Sequence, residues 1–260
     1  MNWSRSSSTA LVLVALLVVS VAPAAAVSVS DEASPSAVEV GEQQDVTYTV
    51  SDLYTDYDRW QLSGETELTD VTWTVTTYDQ TDAKIEQQQY NSPSFDHEIA
   101  ADEDVSAVEV RLQGTTPSWS EWQYDPAQNL TLATFAQAQE GGSSSEVATY
   151  TARPYTADSQ SARTAIDDAK AAIDDAESAG ANPDEAESLL NNAISAYENG
   201  NFENAGDLAS QAQNSANSAA QSANRTDLLL MAGGVVVLLA LVAGGIYWYL
   251  QQRETYDRLG

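Results

Sequence analysis

Apolar residues recur along this chain in two different periods, and the change of period divides it. Val46, Tyr48 and Val50 alternate with Thr47 and Thr49, and Val71, Trp73 and Val75 alternate with Thr72 and Thr74. Val108, Val110 and Leu112 alternate with Glu109 and Arg111. A period of two with polar partners predicts half-buried strands, one face to a core and one to water. Shorter segments at residues 37–40, 84–89, 95–99, 130–135 and 147–152 read the same way. Gly41, Asn91 with Pro93, Gly114 with Pro117, and the run 141–145 punctuate them. Seven or eight short strands within residues 36–155 imply a β-sandwich.

From residue 157 the period lengthens. Ala162, Ala165, Ile166, Ala169, Ala172, Ile173 and Ala176 line one helical stripe, within a heptad at 165–171 that is nearly repeated at 172–178. The acid pairs Asp167–Asp168 and Asp174–Asp175 fall on the opposite, solvated face. Gly180 suits a C-terminal cap, and Asn182 with Pro183 starts a second helix as N-cap and first turn. Its stripe is Ala186, Leu189, Leu190, Ala193, Ile194 and Tyr197, ending at Asn199, Gly200 and Asn201. A third stripe carries Ala205, Leu208, Ala209, Ala212, Ala216, Ala219 and Ala223. Three tandem helices predict a small alanine-packed bundle, weak alone because alanine buries little area.

A third pattern is the uncharged run at 228–250. As a helix it reaches roughly 34 Å, against a hydrocarbon core of about 30 Å. Its Leu, Val and Ile residues favour insertion by roughly 5 kcal/mol. Tyr247, Trp248 and Tyr249 stand where an interfacial belt belongs, and Arg253 and Arg258 follow. Gly233, Ala240 and Gly244 form a small-residue stripe that predicts a helix-pairing face. At the other end, Arg5, the apolar stretch 10–21 and the small residues Ala24 and Ala26 have the form of a signal peptide cleaved after Ala26.

The predicted division is therefore 1–26 signal peptide, 27–155 extracellular sandwich, 156–227 helical stalk or bundle, 228–250 transmembrane helix and 251–260 cytoplasmic tail. The expected fold class is multidomain β + α with one C-terminal transmembrane helix. The expected location is the cell membrane, single-pass, with the N-terminal domain outside.

Composition adds a constraint. The formal charge is −29, from 39 acids against 10 lysines and arginines, and there is no cysteine. Such a field repels nucleic acid and anionic surfaces, so no nucleic-acid partner is expected. Partners expected from the topology are the lipid bilayer and either envelope or membrane proteins or glycans. Few lysines, many acids, threonines and alanines, and no cysteine resemble the cell-surface proteins of halophilic archaea.

Residues 34–42, followed by the alternation at 46–50, resemble the opening two strands of immunoglobulin-like modules on prokaryotic surface proteins. Trp73 resembles the core tryptophan of such sandwiches, although the cysteine pair of antibody-type domains is missing. The resemblance implies an adhesive, spacing or recognition unit and brings no catalytic residue. Residues 193–212, with Ala193, Tyr197, Gly200, Phe202, Ala205, Ala209 and Ala212, resemble a single tetratricopeptide helical hairpin without its closing proline. One copy implies close helix packing rather than a stacked-repeat groove.

Candidate chemistry is sparse. His97 is the only histidine, and its alternation with Phe95 and Ile99 places it at the edge of a core. Zinc sites and Cys–His or Ser–His pairs have no material, so no catalytic residue and no cofactor is expected. Asp52, Asp56 and Asp58 in one predicted loop, and Asp102, Glu103 and Asp104 in another, offer oxygens for Ca²⁺, without EF-hand spacing. Tyr54, Tyr57 and Trp60 form one aromatic loop, and Trp119 with Trp122 another. Exposed, these rings would grip a glycan or a partner; buried, they would plug the sandwich ends. Asn129 and Asn224 head N-glycosylation sequons. The expected function is a non-enzymatic surface role in envelope structure, adhesion or recognition. The alternative is an accessory or sensory subunit that couples binding outside to the span.

Overall fold

The computed structural model describes residues 26–31, 33–139, 142, 144–223 and 241–243. Among the described residues there are ten strands: β1 Ser28–Asp31, β2 Ala37–Glu39, β3 Gln43–Ser51, β4 Arg59–Glu65, β5 Thr69–Tyr78, β6 Lys84–Tyr90, β7 Ser94–Ala100, β8 Ala107–Thr115, β9 Leu130–Ala138 and β10 Ser144–Tyr155. They form two five-stranded sheets, in the orders β1-β3-β8-β5-β6 and β2-β10-β9-β4-β7. The first is antiparallel throughout, while the second carries one parallel pairing, β2 on β10.

Alternation explains how the sheets meet. Val46, Tyr48 and Val50 of β3, Trp73 and Val75 of β5, and Val108, Val110 and Leu112 of β8 turn one face inward. Trp60 and Leu62 of β4, Phe95 and Ile99 of β7, and Leu130, Leu132 and Phe135 of β9 meet them from the second sheet. The contact is aromatic at its centre: Tyr48 lies 5.0 Å from Phe135, and Trp73 5.0 Å from Phe95. Gly64 pairs across the sheet with Phe95, and a Cβ built on it would stand 2.2 Å from that ring, so the position has no room for a side chain. Two strands escape the sequence pattern. β1 is short and mostly exposed, and β4 keeps its in-and-out alternation but carries Gly64 at an inward position where an apolar side chain would mark a strand.

The helices follow directly on β10. α1, Ala157–Ser178, opens on a capping box in which Thr156 and Ser159 each bond the other's backbone N–H. Gly180, with φ 76°, ends it, and Ala181 N–H donates to the Ala176 carbonyl at 3.0 Å. α2, Asp184–Glu198, has Pro183 as its N-cap; Asn182, expected in that role, instead donates to Asp184. Gly200 turns the chain into α3, which covers residues 202–223 of the described chain. Ile166, Ala169, Ala193, Tyr197, Ala205, Ala209 and Ala212 are buried in one cluster of the three helices.

The expected fold class needs correction at its C-terminal end. Among the described residues no helix is long and apolar enough to cross a membrane. Each described helix puts acids or amides on its outer face and spends its narrow apolar stripe on its neighbours. The transmembrane helix expected at 228–250 is thus unsupported, and the single-pass membrane location and the exported placement drawn from it are withdrawn. That segment, with Gly233, Ala240 and Gly244, lies outside the described residues apart from 241–243. The signal peptide expected at 1–26 is likewise unsupported and lies outside them except for Ala26, and Asn224 lies outside them as well. The fold described is two β-sheets and three amphipathic helices.

Candidate functional site

The acid loops that the sequence keeps 50 residues apart meet at one end of the sandwich, around Arg59. Arg59 begins β4, and its guanidinium pairs with Glu98 of β7 and donates to both carboxylate oxygens of Asp102, at 3.0 and 3.2 Å. Backbone bonds lock the loops together: Ala101 N–H donates to the Asp58 carbonyl at 2.8 Å. The Tyr54 hydroxyl donates to the Ala100 carbonyl at 3.0 Å, and Trp60 Nε1–H to the Leu53 carbonyl at 2.8 Å. Burial, aided by Glu103 and Asp102, pushes the Tyr54 hydroxyl up to about 12, so it stays a donor. Beside the cluster lies a cavity of about 400 Å³ lined by Arg59, Trp60, Gln61, Glu98 and Gln139.

This geometry sorts the expected residues. Trp60 is buried on β4 rather than carried on an aromatic loop, because it alternates inward with Leu62. Tyr54 is half-buried, and Tyr57 is exposed. Among the described residues, no group of three or more His, Cys, Asp or Glu could hold a metal ion. The Arg59 guanidinium pairs with Asp102, one of the acids whose oxygens suggest Ca²⁺ in the sequence.

A second junction forms where the loop at 116–129 meets the helices. Trp122 is only 8% exposed, its ring 5.0 Å edge-on from Phe202 and 6.5 Å from Tyr197. Tyr124 donates its hydroxyl to Asp167 at 2.5 Å. Arg163 stands 4.7 Å over the Tyr124 ring and donates to the Tyr124 carbonyl at 3.0 Å. Burial and the Asp167 carboxylate raise the Tyr124 hydroxyl pKa, which keeps that donor protonated. Trp122 is thus spent on the helices, while Trp119 is half-buried and donates to the Glu121 carbonyl. Asp167, read in the sequence as part of a solvated face, is a specific acceptor. Tyr124 and Arg163 were missed; Arg163, a rare cation on an acidic helix, was the available signal.

His97 is 6% exposed, and its Nδ1 lies 3.0 Å from the Tyr90 hydroxyl. Burial pushes its pKa below the ordinary value, against the pull of Glu86, Glu103 and Glu98. It sits at the margin between β6 and β7, the free edges of the two sheets. Asn129 is exposed, one residue before β9.

No family model matches the chain, and no curated protein matches it. Among solved structures it is similar to the sporulation control protein Spo0M from Bacillus subtilis, with 12% identity over 55% of each chain and a TM-score of 0.28. It is also similar to a DUF4466 family protein from Parabacteroides merdae, with 12% identity over 50% of this chain and 43% of that one, TM-score 0.30. A third is the alkylpurine DNA glycosylase AlkC from Pseudomonas fluorescens, bound to DNA containing an abasic site analog. It shares 9% identity over 50% of this chain and 29% of that one, TM-score 0.22. The chain spans about half the length of the first of these, and likenesses at such scores carry no functional argument.

Proposed function

We propose that the chain is a non-enzymatic recognition module that uses the Arg59 end of its sandwich to bind a neutral glycan. The observation that supports this is the convergence of two loops on Arg59, which ties a half-buried Tyr54 and a polar cavity to one end of the sandwich, with the exposed Tyr57 two residues before Arg59 in the chain. Arg59, Glu98, Gln61 and Gln139 present donors and acceptors of the kind that hydroxyl groups bond, and an exposed ring such as Tyr57 suits the apolar face of a sugar. The charge of −29 works against anionic polymers as ligands.

The test is calorimetric titration of the full chain with neutral oligosaccharides, alongside Tyr57→Ala and Arg59→Ala. Both variants are expected to weaken binding by about tenfold or more. Equal binding by the variants, or no binding by the native chain, would overturn the reading. A second reading, an accessory subunit that passes a binding event onward, draws on the tight junction between sandwich and helices at Trp122 and Tyr124.

A further inference from the structure

Between the loop at 116–129 and the α1–α2 hairpin lies a cleft of about 260 Å³, lined by Tyr124, Asp125, Lys170, Leu190, Ile194 and Glu198. Its apolar wall is built from rigid parts. Leu190 and Ile194 stand one turn apart on α2, both half-buried against the helical cluster. The Tyr124 ring beside them is held by Asp167 through its hydroxyl and by Arg163 over its face.

The polar rim is unusual for this chain. Arg59 and Arg111 are in ion pairs, Lys84 donates to Gln87, Arg153 to Gln160 and Arg163 to Tyr124. The Lys170 side chain has no such contact, and among the described residues it is the one lysine or arginine side chain without a hydrogen bond, ion pair or ring contact. A chain of charge −29 thus leaves an ammonium outside any ion pair beside an apolar-walled cleft whose lining also holds two carboxylates.

We propose that this cleft binds a small zwitterion with a branched aliphatic side chain, a free amino acid of the leucine type. Its carboxylate pairs with Lys170, its ammonium with Asp125 or Glu198, and its side chain packs on Leu190, Ile194 and the Tyr124 ring. Each alternative leaves one group badly placed. A simple carboxylate meets Asp125 and Glu198 with like charge, and a simple amine repels Lys170 and leaves it unpaired. The volume lies below the range of about 300–1,000 Å³ typical of drug-sized ligands, which limits the site to something small. The site is separate from the Arg59 end and does not depend on the glycan reading.

The experiment titrates the full chain with L-leucine, 4-methylpentanoate and 3-methylbutylamine, by calorimetry and by the fluorescence of the tryptophans. Leucine is expected to bind, with each analogue weaker by about tenfold or more. Lys170→Gln is expected to weaken leucine by a similar factor and to leave the ligand-free melting temperature unchanged. Lys170→Arg should retain binding, and Tyr57→Ala should not affect it. Absence of leucine binding at millimolar concentration, equal binding of the amine, or undiminished binding by Lys170→Gln would each overturn the proposal.

Discussion

At the scale of single residues, His97 shows how position in the fold sets a protonation state. Its Nδ1 hydrogen-bonds with the Tyr90 hydroxyl at 3.0 Å, and burial lowers its pKa from 6.5. The unfolded chain takes up a proton there that the folded chain resists. Stability is therefore complete above the unfolded pKa and falls with pH until the folded pKa is passed. Asp45 and Asp79, both held below 3.8, withdraw stability only in a more acid window. Denaturant midpoints of the native chain should drop as the pH falls below the ordinary histidine pKa of 6.5, and His97→Gln should flatten that drop. Parallel curves for the two proteins would exclude His97 as its source. The margin placement was legible because His97 alternates with Phe95 and Ile99, whereas its partner Tyr90, on another strand, was not. Tyr54, Tyr57 and Trp60 make the same point. Their clustering was readable, but which ring stays exposed depends on the carbonyls of Leu53 and Ala100, brought close only by folding.

At the scale of elements, the helices were read from a 3.6-residue stripe and the central strands from a two-residue one. β4 was missed because Gly64 interrupts its apolar alternation. That glycine is required by Phe95 of the paired strand, so the interruption has a long-range cause. The alanine stripe carries its own consequence. Ala193 is fully buried in the cluster that includes Trp122, Tyr124 and Tyr197. Ala193→Leu should destabilise by about 1–3 kcal/mol through overpacking, against less than about 0.5 kcal/mol for Ala171→Leu on the exposed face. Chemical denaturation of the two variants measures the difference, and equal midpoints would mean that the helices have room to spare.

At the scale of the whole molecule, the loop at 116–129 joins the sandwich to the helices. The buried edge of Trp122 lies against Phe202 and Tyr197, and Tyr124 ties the same loop to α1. Trp122→Ala should cost about 3–5 kcal/mol and let the helices melt before the sandwich. Helical circular dichroism and near-ultraviolet signals, coincident in the native chain, should then separate. If they stay coincident, another contact couples the halves. The sequence alone determined what depends on near neighbours: the two periods, the helix end at Gly180 and the strongly acidic charge. Tertiary structure decided what depends on residues far apart in the chain. It set Arg59 among two acid loops, turned Trp122 inward, gave Asp167 a tyrosine to accept from and left Lys170 unpaired beside Leu190 and Ile194. Periodicity records which face of an element is apolar, but a pairing between elements exists only once the chain has brought them together.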